Sequence, residues 1–253
     1  MRLLDVERYA WPVCLLLLTS LAFADSKNQV FSDFTMPLPV KRGEALIIGI
    51  VGGWERWDAP QRGTRRTALE LRSERIPGVW IETVENHKLY LSQELVVKAF
   101  DFNKSGTLEP GEKGAARLII YGQSLGGRAV LRFCRWLNEN GIPVRLAVVV
   151  DAYGRDAYTV PPNVAAAANL YQRDPGFVRG SDTLTAEDPA RTQIVGNWRY
   201  SYWGKDVPMP DEPPLRRWFM QSHLKMEYDP APWIRVKELI RKALNGNSRF
   251  AER

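Results

Sequence analysis

Cysteine and histidine are both scarce, with two of each in 253 residues. Cys14 lies in the apolar run "WPVCLLLLTSLAF" (11–23); if that run is removed, Cys134 is alone and no internal disulfide can form. No other apolar run approaches the length that spans a bilayer, so no stable membrane span is expected once the first is gone. Blocks of like charge are missing too. The formal charge of +6 is spread over dispersed Arg and Lys residues, which read as a solvated surface and give no reason to expect nucleic acid. There is no internal repeat and no low-complexity tract.

The first segment is the anatomy of a secretory signal. Arg2 and Arg8 precede the apolar run, and Ala22-Phe23-Ala24 forms a small-x-small site before Asp25. The expectation is a signal peptide over 1–24, a mature chain from about Asp25, and a secreted or periplasmic protein. Cys14 precedes most of the apolar run, which argues against a lipid-modified cysteine at the cleavage site. Trimming leaves the net charge unchanged, because Arg2 and Arg8 offset Asp5 and Glu7. The remaining length suits one α/β domain over 25–253 and can bury a substantial core.

Within that domain, near-continuous aliphatic runs alternate with amphipathic ones. "ALIIGIV" (45–51), "GVWIETVE" (78–85), "ARLIIYG" (116–122) and "VRLAVVVD" (144–151) read as strands buried on both faces. Segments 64–74, 89–100 and 125–140 read as helices; the last carries a stripe of Gly126, Val130, Phe133, Cys134 and Leu137 and stops at Asn140-Gly141. Such alternation predicts a mainly parallel central sheet covered on both faces. Beyond Asp151 the pattern loosens. "NVAAAANLYQ" (163–172) suggests a helical turn feeding a short strand, 192–203 a last strand or hairpin, and 232–244 a closing amphipathic helix that begins with Pro. Residues 197–220 are rich in Trp and Tyr, and this irregular second half is the expected binding surface.

The segment "GQSLGG" (122–127) satisfies GxSxG between an expected strand and an expected helix. Glycines flank Ser124 because so sharp a turn presses its neighbours against strand and helix backbone, which leaves no room for a Cβ. With this motif and its order of elements, the chain resembles the α/β-hydrolase superfamily. That resemblance implies a three-layer fold and a Ser-His-carboxylate triad in the chain order serine, carboxylate, histidine. His223, in "QSHLKMEYDP" (221–230), is the only histidine after Ser124 and is expected in a loop following the last strand; His87 reads as an ordinary loop residue. Two acids compete. Asp151 ends a convincing strand at the same sheet edge as Ser124 and is preferred; Asp174 follows the next, weaker strand. The resemblance also implies an oxyanion hole from the amide of Leu125 and that of Gly53 or Trp54 in "IVGGWERWD" (50–58), although the HGGG form of some esterases is missing.

A second pattern is "DFNKSGTLEPGE" (101–112). Asp101, Asn103, Ser105, Thr107, Glu109 and Glu112 stand at positions 1, 3, 5, 7, 9 and 12 of a twelve-residue run with Gly106 at position 6. Alternate oxygen groups can converge there on one hard cation, the glycine permits the sharp turn, and Glu112 can close the site with two oxygens. The run resembles an EF-hand calcium loop, inserted before the strand that carries Ser124. Pro110, Gly111 and Gly114 leave little exiting helix, and the loop has no second copy to pair with. Calcium is expected as a structural brace.

These readings combine into a secreted, calcium-stabilised serine hydrolase that cleaves an ester or related acyl bond of a small-molecule or lipid-like substrate. A calcium-dependent binding module on a scaffold without turnover is the alternative, and the reactivity of Ser124 separates the two. Neither the substrate nor the oligomeric state can be read from the sequence.

Overall fold

A computed structural model describes residues 28–154 and 158–246; the leader expected over 1–24 lies outside the described residues. The architecture is α/β, with a six-stranded sheet and seven α-helices among the described residues. The strands are β1 (Ala45–Val51), β2 (Val79–Glu85), β3 (Leu118–Gln123), β4 (Val144–Val150), β5 (Thr159–Val160), β6 (Val164–Gln172), β7 (Thr185–Ala186) and β8 (Gln193–Tyr200). The helices are α1 (Gly63–Ser73), α2 (Leu89–Phe100), α3 (Pro110–Ala115), α4 (Leu125–Glu139), α5 (Pro214–Phe219), α6 (Gln221–Tyr228) and α7 (Pro230–Leu244). The main sheet runs β2-β1-β3-β4-β6-β8, every neighbouring pair is parallel, and β5 and β7 form a separate parallel pair.

Aliphatic runs become strands here because both faces of the sheet are covered. Leu46, Ile48, Leu118, Ile120, Val149 and Ala167 point into one core with the stripes of α2 and α4, Phe133 and Leu137 among them. Their neighbours Ile47, Ile119, Tyr121, Val148, Ala166 and Ala168 point the other way, against Leu71 of α1 and Trp233, Val236 and Ile240 of α7. The period of two along each strand and of about 3.6 along each helix gives this helix-sheet-helix layering. Each fully buried Leu or Ile contributes about 1.5–3 kcal/mol of transfer free energy.

The expectation for 163–172 needs correction: the whole of Val164–Gln172 is one strand. The alanine run favours helix intrinsically, but the slot between β4 and β8 decides otherwise, with Ala166 and Ala168 on one face and Ala167 on the other. The exit from the 101–112 loop is short, as its prolines and glycines suggested: α3 has six residues, opened by Glu109 and Glu112 in a capping box. No helix among the described residues is long and apolar enough to cross a membrane.

Candidate active site

The strand order fixes where a site can form. From β1 the chain goes outward to β2 and then returns to β3 on the other side of β1, so the carboxyl ends of β1 and β3 diverge and open a crevice. The two glycine-bearing turns picked out in the sequence leave the sheet there: Gly52-Gly53 after β1, and Ser124 between β3 and α4.

Ser124 sits at φ +57° and ψ −124°, a backbone geometry that L-residues rarely adopt and that costs of order 1–3 kcal/mol. The turn is held by backbone bonds: the Ser124 N–H donates to Val150 O at 2.9 Å, and Ser124 O accepts from Tyr153 N and Arg128 N, each at 3.2 Å. Its tightness explains the flanking glycines. A Cβ on Gly126 would lie 2.1 Å from Ile50 O, and one on Gly122 would lie 2.7 Å from both Ile50 O and Gly126 O. Ser124 as a whole is 8% exposed.

The register of β3 against β4 pairs Gln123 with Val150, so Ser124 and Asp151 take the next positions on adjacent strands. Asp151 is fully buried and also has a positive φ, +43°. Its Oδ2 meets His223 Nδ1 at 2.6 Å and accepts from Gln172 Nε2 at 3.0 Å, while Oδ1 accepts from Gly180 N at 2.8 Å and Gln172 N at 3.1 Å. Four hydrogen-bonding groups thus surround the buried carboxylate. Bound through Nδ1, the imidazole leaves Nε2 free to act on a proton. No hydrogen bond joins that nitrogen to Ser124 among the described residues.

Asp174, the competing acid, is engaged elsewhere. Its Oδ1 accepts from Ser201 Oγ at 2.9 Å and its Oδ2 from Tyr202 N at 2.5 Å, which ties down the chain leaving β8. Of the two aspartates, Asp151 is the one whose carboxylate meets the ring. His223 itself departs from expectation: it lies in the first turn of α6, not in a loop, and is 2% exposed. Leu224 N donates to Met220 O at 2.8 Å, so the helix starts directly behind α5 and presents the ring from a rigid element.

The Gly52–Glu55 turn closes the crevice opposite. Glu55 N donates to Gly52 O at 3.0 Å, and a Cβ on Gly52 would lie 3.1 Å from the Ser124 Cβ. Gly53 takes φ +46°. No hydrogen bond from the Gly53 or Trp54 amide forms among the described residues. Asn86 Nδ2 braces the turn from β2 by donating to Gly53 O and, at 3.1 Å, to Val51 O. His87 stands beside it, its ring 5.1 Å from that of Trp54, and burial pulls its pKa below the ordinary histidine value. Leu125, the other expected donor, is the first residue of α4.

A scan against protein-family models matches none, and a search of curated proteins finds no match. The geometry carries the functional argument alone.

The 101–112 loop lies at the other end of β3, separated from it by α3. Asp101 and Asn103 both accept from Ser105 N at 3.0 Å, Asp101 also accepts from Gly106 N at 2.7 Å, and Ser105 Oγ donates to Thr107 O at 2.9 Å. Glu112 closes the loop by accepting from Phe102 N at 2.8 Å, Asn103 N at 3.1 Å and Glu109 N at 3.0 Å. Glu109 is turned to Asn103 Nδ2 at 3.0 Å. The oxygens at positions 1, 3, 5 and 7 are thus linked around Ser105. No group of three or more His, Cys, Asp or Glu side chains converges as a metal site among the described residues.

Sequence reasoning missed the residues that support these groups. Gln172 and Gly180 hold Asp151, and no local pattern marks them. Also missed was a buried cluster around Arg62, whose Nη1 meets Glu212 Oε1, Glu227 Oε2 at 3.3 Å and Glu55 Oε1 at 3.4 Å. An exposed aromatic group stands near the site as well: Phe177 and Trp218, each 71% exposed, flank Phe219 at ring distances of 5.3 and 4.5 Å. Phe177 precedes the 178–180 segment that binds Gln172 and Asp151, and Phe219 lies four residues before His223. By contrast, a cavity of about 590 Å³ opens beside Gly141, Pro143 and Asn163, at the amino ends of β4 and β6, far from this chemistry.

Proposed function

We propose that the chain is a serine hydrolase of the α/β-hydrolase type that cleaves an ester or related acyl bond. The observation that carries this reading is the positive-φ Ser124 at the β3–α4 turn, one register step from an Asp151 that is bonded to His223 Nδ1 at 2.6 Å. In the proposed reaction Ser124 Oγ attacks the acyl carbonyl carbon while His223 Nε2 takes the hydroxyl proton. Asp151 keeps the second ring proton on Nδ1 and stabilises the imidazolium. The amides of Leu125 and of Gly53 or Trp54 donate to the oxyanion. His223 then returns its proton to the leaving alkoxide as the tetrahedral intermediate collapses to an acyl-enzyme. Water, deprotonated by the same nitrogen, attacks the acyl carbon, and the acid is released as Ser124 recovers its proton.

The exposed Phe177 and Trp218, with the half-buried Phe219 between them, support an apolar acyl or aryl group in the substrate, of small-molecule or lipid-like character. Export follows in this reading from the 1–24 signal. Calcium is proposed as a brace held by Asp101, Asn103, Ser105, Thr107, Glu109 and Glu112, and the linked oxygens around Ser105 support it. The ion would neutralise the loop's carboxylates and stiffen the approach to β3 without contacting substrate. The rival reading is a calcium-dependent binding module without turnover. Turnover of short p-nitrophenyl esters by the purified protein, and its loss in Ser124→Ala with an unchanged circular dichroism spectrum, supports hydrolysis; equal rates in both proteins refute it.

A further inference from the structure

The Arg62 cluster joins three parts of the candidate site. Arg62 caps the amino end of α1 and its side chain is 11% exposed. Glu55, 10% exposed, ends the turn whose Gly52 packs against Ser124. Glu227 lies on α6, one helical turn beyond His223, so movement of one carries the other. Glu212 precedes α5 and also takes Arg216 Nη1 at 2.9 Å and the Tyr228 hydroxyl at 3.3 Å. Three carboxyl groups therefore face two guanidiniums in a space with little water. If all five ionise, one negative charge is left over, and Glu227 Oε1 already has no hydrogen-bond partner. A proton on one carboxyl removes the imbalance.

We propose that this cluster is a positioning device, in which Arg62 and Glu55 hold the Gly52–Glu55 turn at its working distance from the helix that carries His223. The inference rests on the hydrolase reading. It makes Glu55 a positioning residue, acting on the Gly53 and Trp54 amides through the turn it ends. Burial pushes the Glu55 carboxyl up to about 8, and the neighbouring Glu227 charge adds to the rise against the pull of Arg62 and Arg216. Burial works against the Arg62 charge, but Glu55, Glu227 and Glu212 together hold its pKa above the ordinary value. Arg56, next along the turn, is paired with Asp58 at 2.7 Å. Tyr228 is held neutral well above its usual range by burial and by Glu212. Above pH 8 the ionised Glu55 faces Glu227 with two guanidiniums among three carboxylates, and the turn is pushed from α6.

The test is the rate at which a fluorophosphonate labels Ser124 between pH 6 and 9.5, in the parent protein, Glu55→Gln and Glu55→Asp. The parent rate should fall with an inflection near 8, by roughly tenfold per pH unit above it, because the fall tracks the protonated fraction. Glu55→Gln should lose this alkaline limb, and Glu55→Asp, which still titrates, should keep one. A flat parent profile, or an unchanged limb in Glu55→Gln, overturns the proposal. Thermal melting gives a readout independent of labelling. The folded protein holds the Glu55 proton more tightly than the unfolded chain, so this group's stabilisation is complete below pH 4.5 and is lost as pH rises to about 8. The melting temperature of Glu55→Gln relative to the parent should accordingly climb across that window, and a constant difference counts against the cluster. A protein that labels at no pH defeats the hydrolase reading, and the melting comparison then decides whether Glu55 holds the proton.

Discussion

Two polar constellations lie at opposite ends of β3, and they are built in opposite ways. At the amino end, the 101–112 loop satisfies itself: its hydrogen bonds span two to ten residues, and Asn103 and Ser105 stay exposed. At the carboxyl end, Asp151 and His223 meet across 72 residues of chain, both nearly removed from water. The loop can close on backbone N–H groups alone, so its shape does not by itself demand a ligand. The site has no such local economy. Nothing in the folding of β3, β4 or α6 requires a buried carboxylate beside an imidazole or a serine with positive φ, and such costs persist where chemistry uses them.

Removing groups one at a time breaks this comparison, and the largest effect belongs to the carboxyl end. Ser124→Ala should lower ester turnover by about 10⁵–10⁶ while the protein stays folded, measured as kcat under saturating substrate. The two aspartates sharpen the contrast. Asp151→Asn should cost about 10⁴ in turnover at neutral pH, because the amide cannot hold the ring in the required tautomer. Asp174→Asn should keep turnover within a few-fold and instead lose roughly 1–3 kcal/mol of stability, since the bonds to Ser201 and Tyr202 weaken. If the two outcomes are exchanged, the acid is Asp174.

The amino end should respond to metal rather than to substrate. In protein first shown to be metal-free, calcium at about 100-fold over its dissociation constant should add about 2.7 kcal/mol, a melting shift of roughly 5–11 °C. Glu112→Gln should abolish that shift and leave Ser124 chemistry in place. A melting curve indifferent to calcium and chelator leaves the loop as a self-closed turn. The smallest effect concerns strain. Ser124→Gly should melt above Ser124→Ala by roughly 1 kcal/mol, because glycine accepts φ +57° without penalty, and equal melting would place the strain elsewhere.

The same contrast explains what could be read in advance. Strands β1 to β4 and helices α1, α2 and α4 were legible because covering both faces of a parallel sheet imposes long aliphatic runs and clean stripes. The Ser124 turn is legible because Gly122 and Gly126 answer to backbone contacts that leave no room for a Cβ. β6 was misjudged because alanine carries a helical preference that only its neighbours β4 and β8 override. His223 stands out in the sequence by scarcity, whereas its helix does not, since "QSHLKMEY" (221–228) lacks a clear stripe. Gln172, Gly180, Asn86 and the Arg62 cluster were invisible. Gln172, Gly180 and Asn86 meet Asp151, Val51 and Gly53 across 21 to 35 residues and Arg62 meets Glu212 and Glu227 across 150 and 165, and one sequence carries no sign of such pairings.

The most direct test of the central claim is where a fluorophosphonate probe attaches at neutral pH. The account predicts a single adduct on the peptide containing Ser124, read by mass spectrometry, that forms in the parent, is absent from Ser124→Ala and is strongly slowed in Asp151→Asn. An adduct on another residue, or none in folded parent protein, would contradict it.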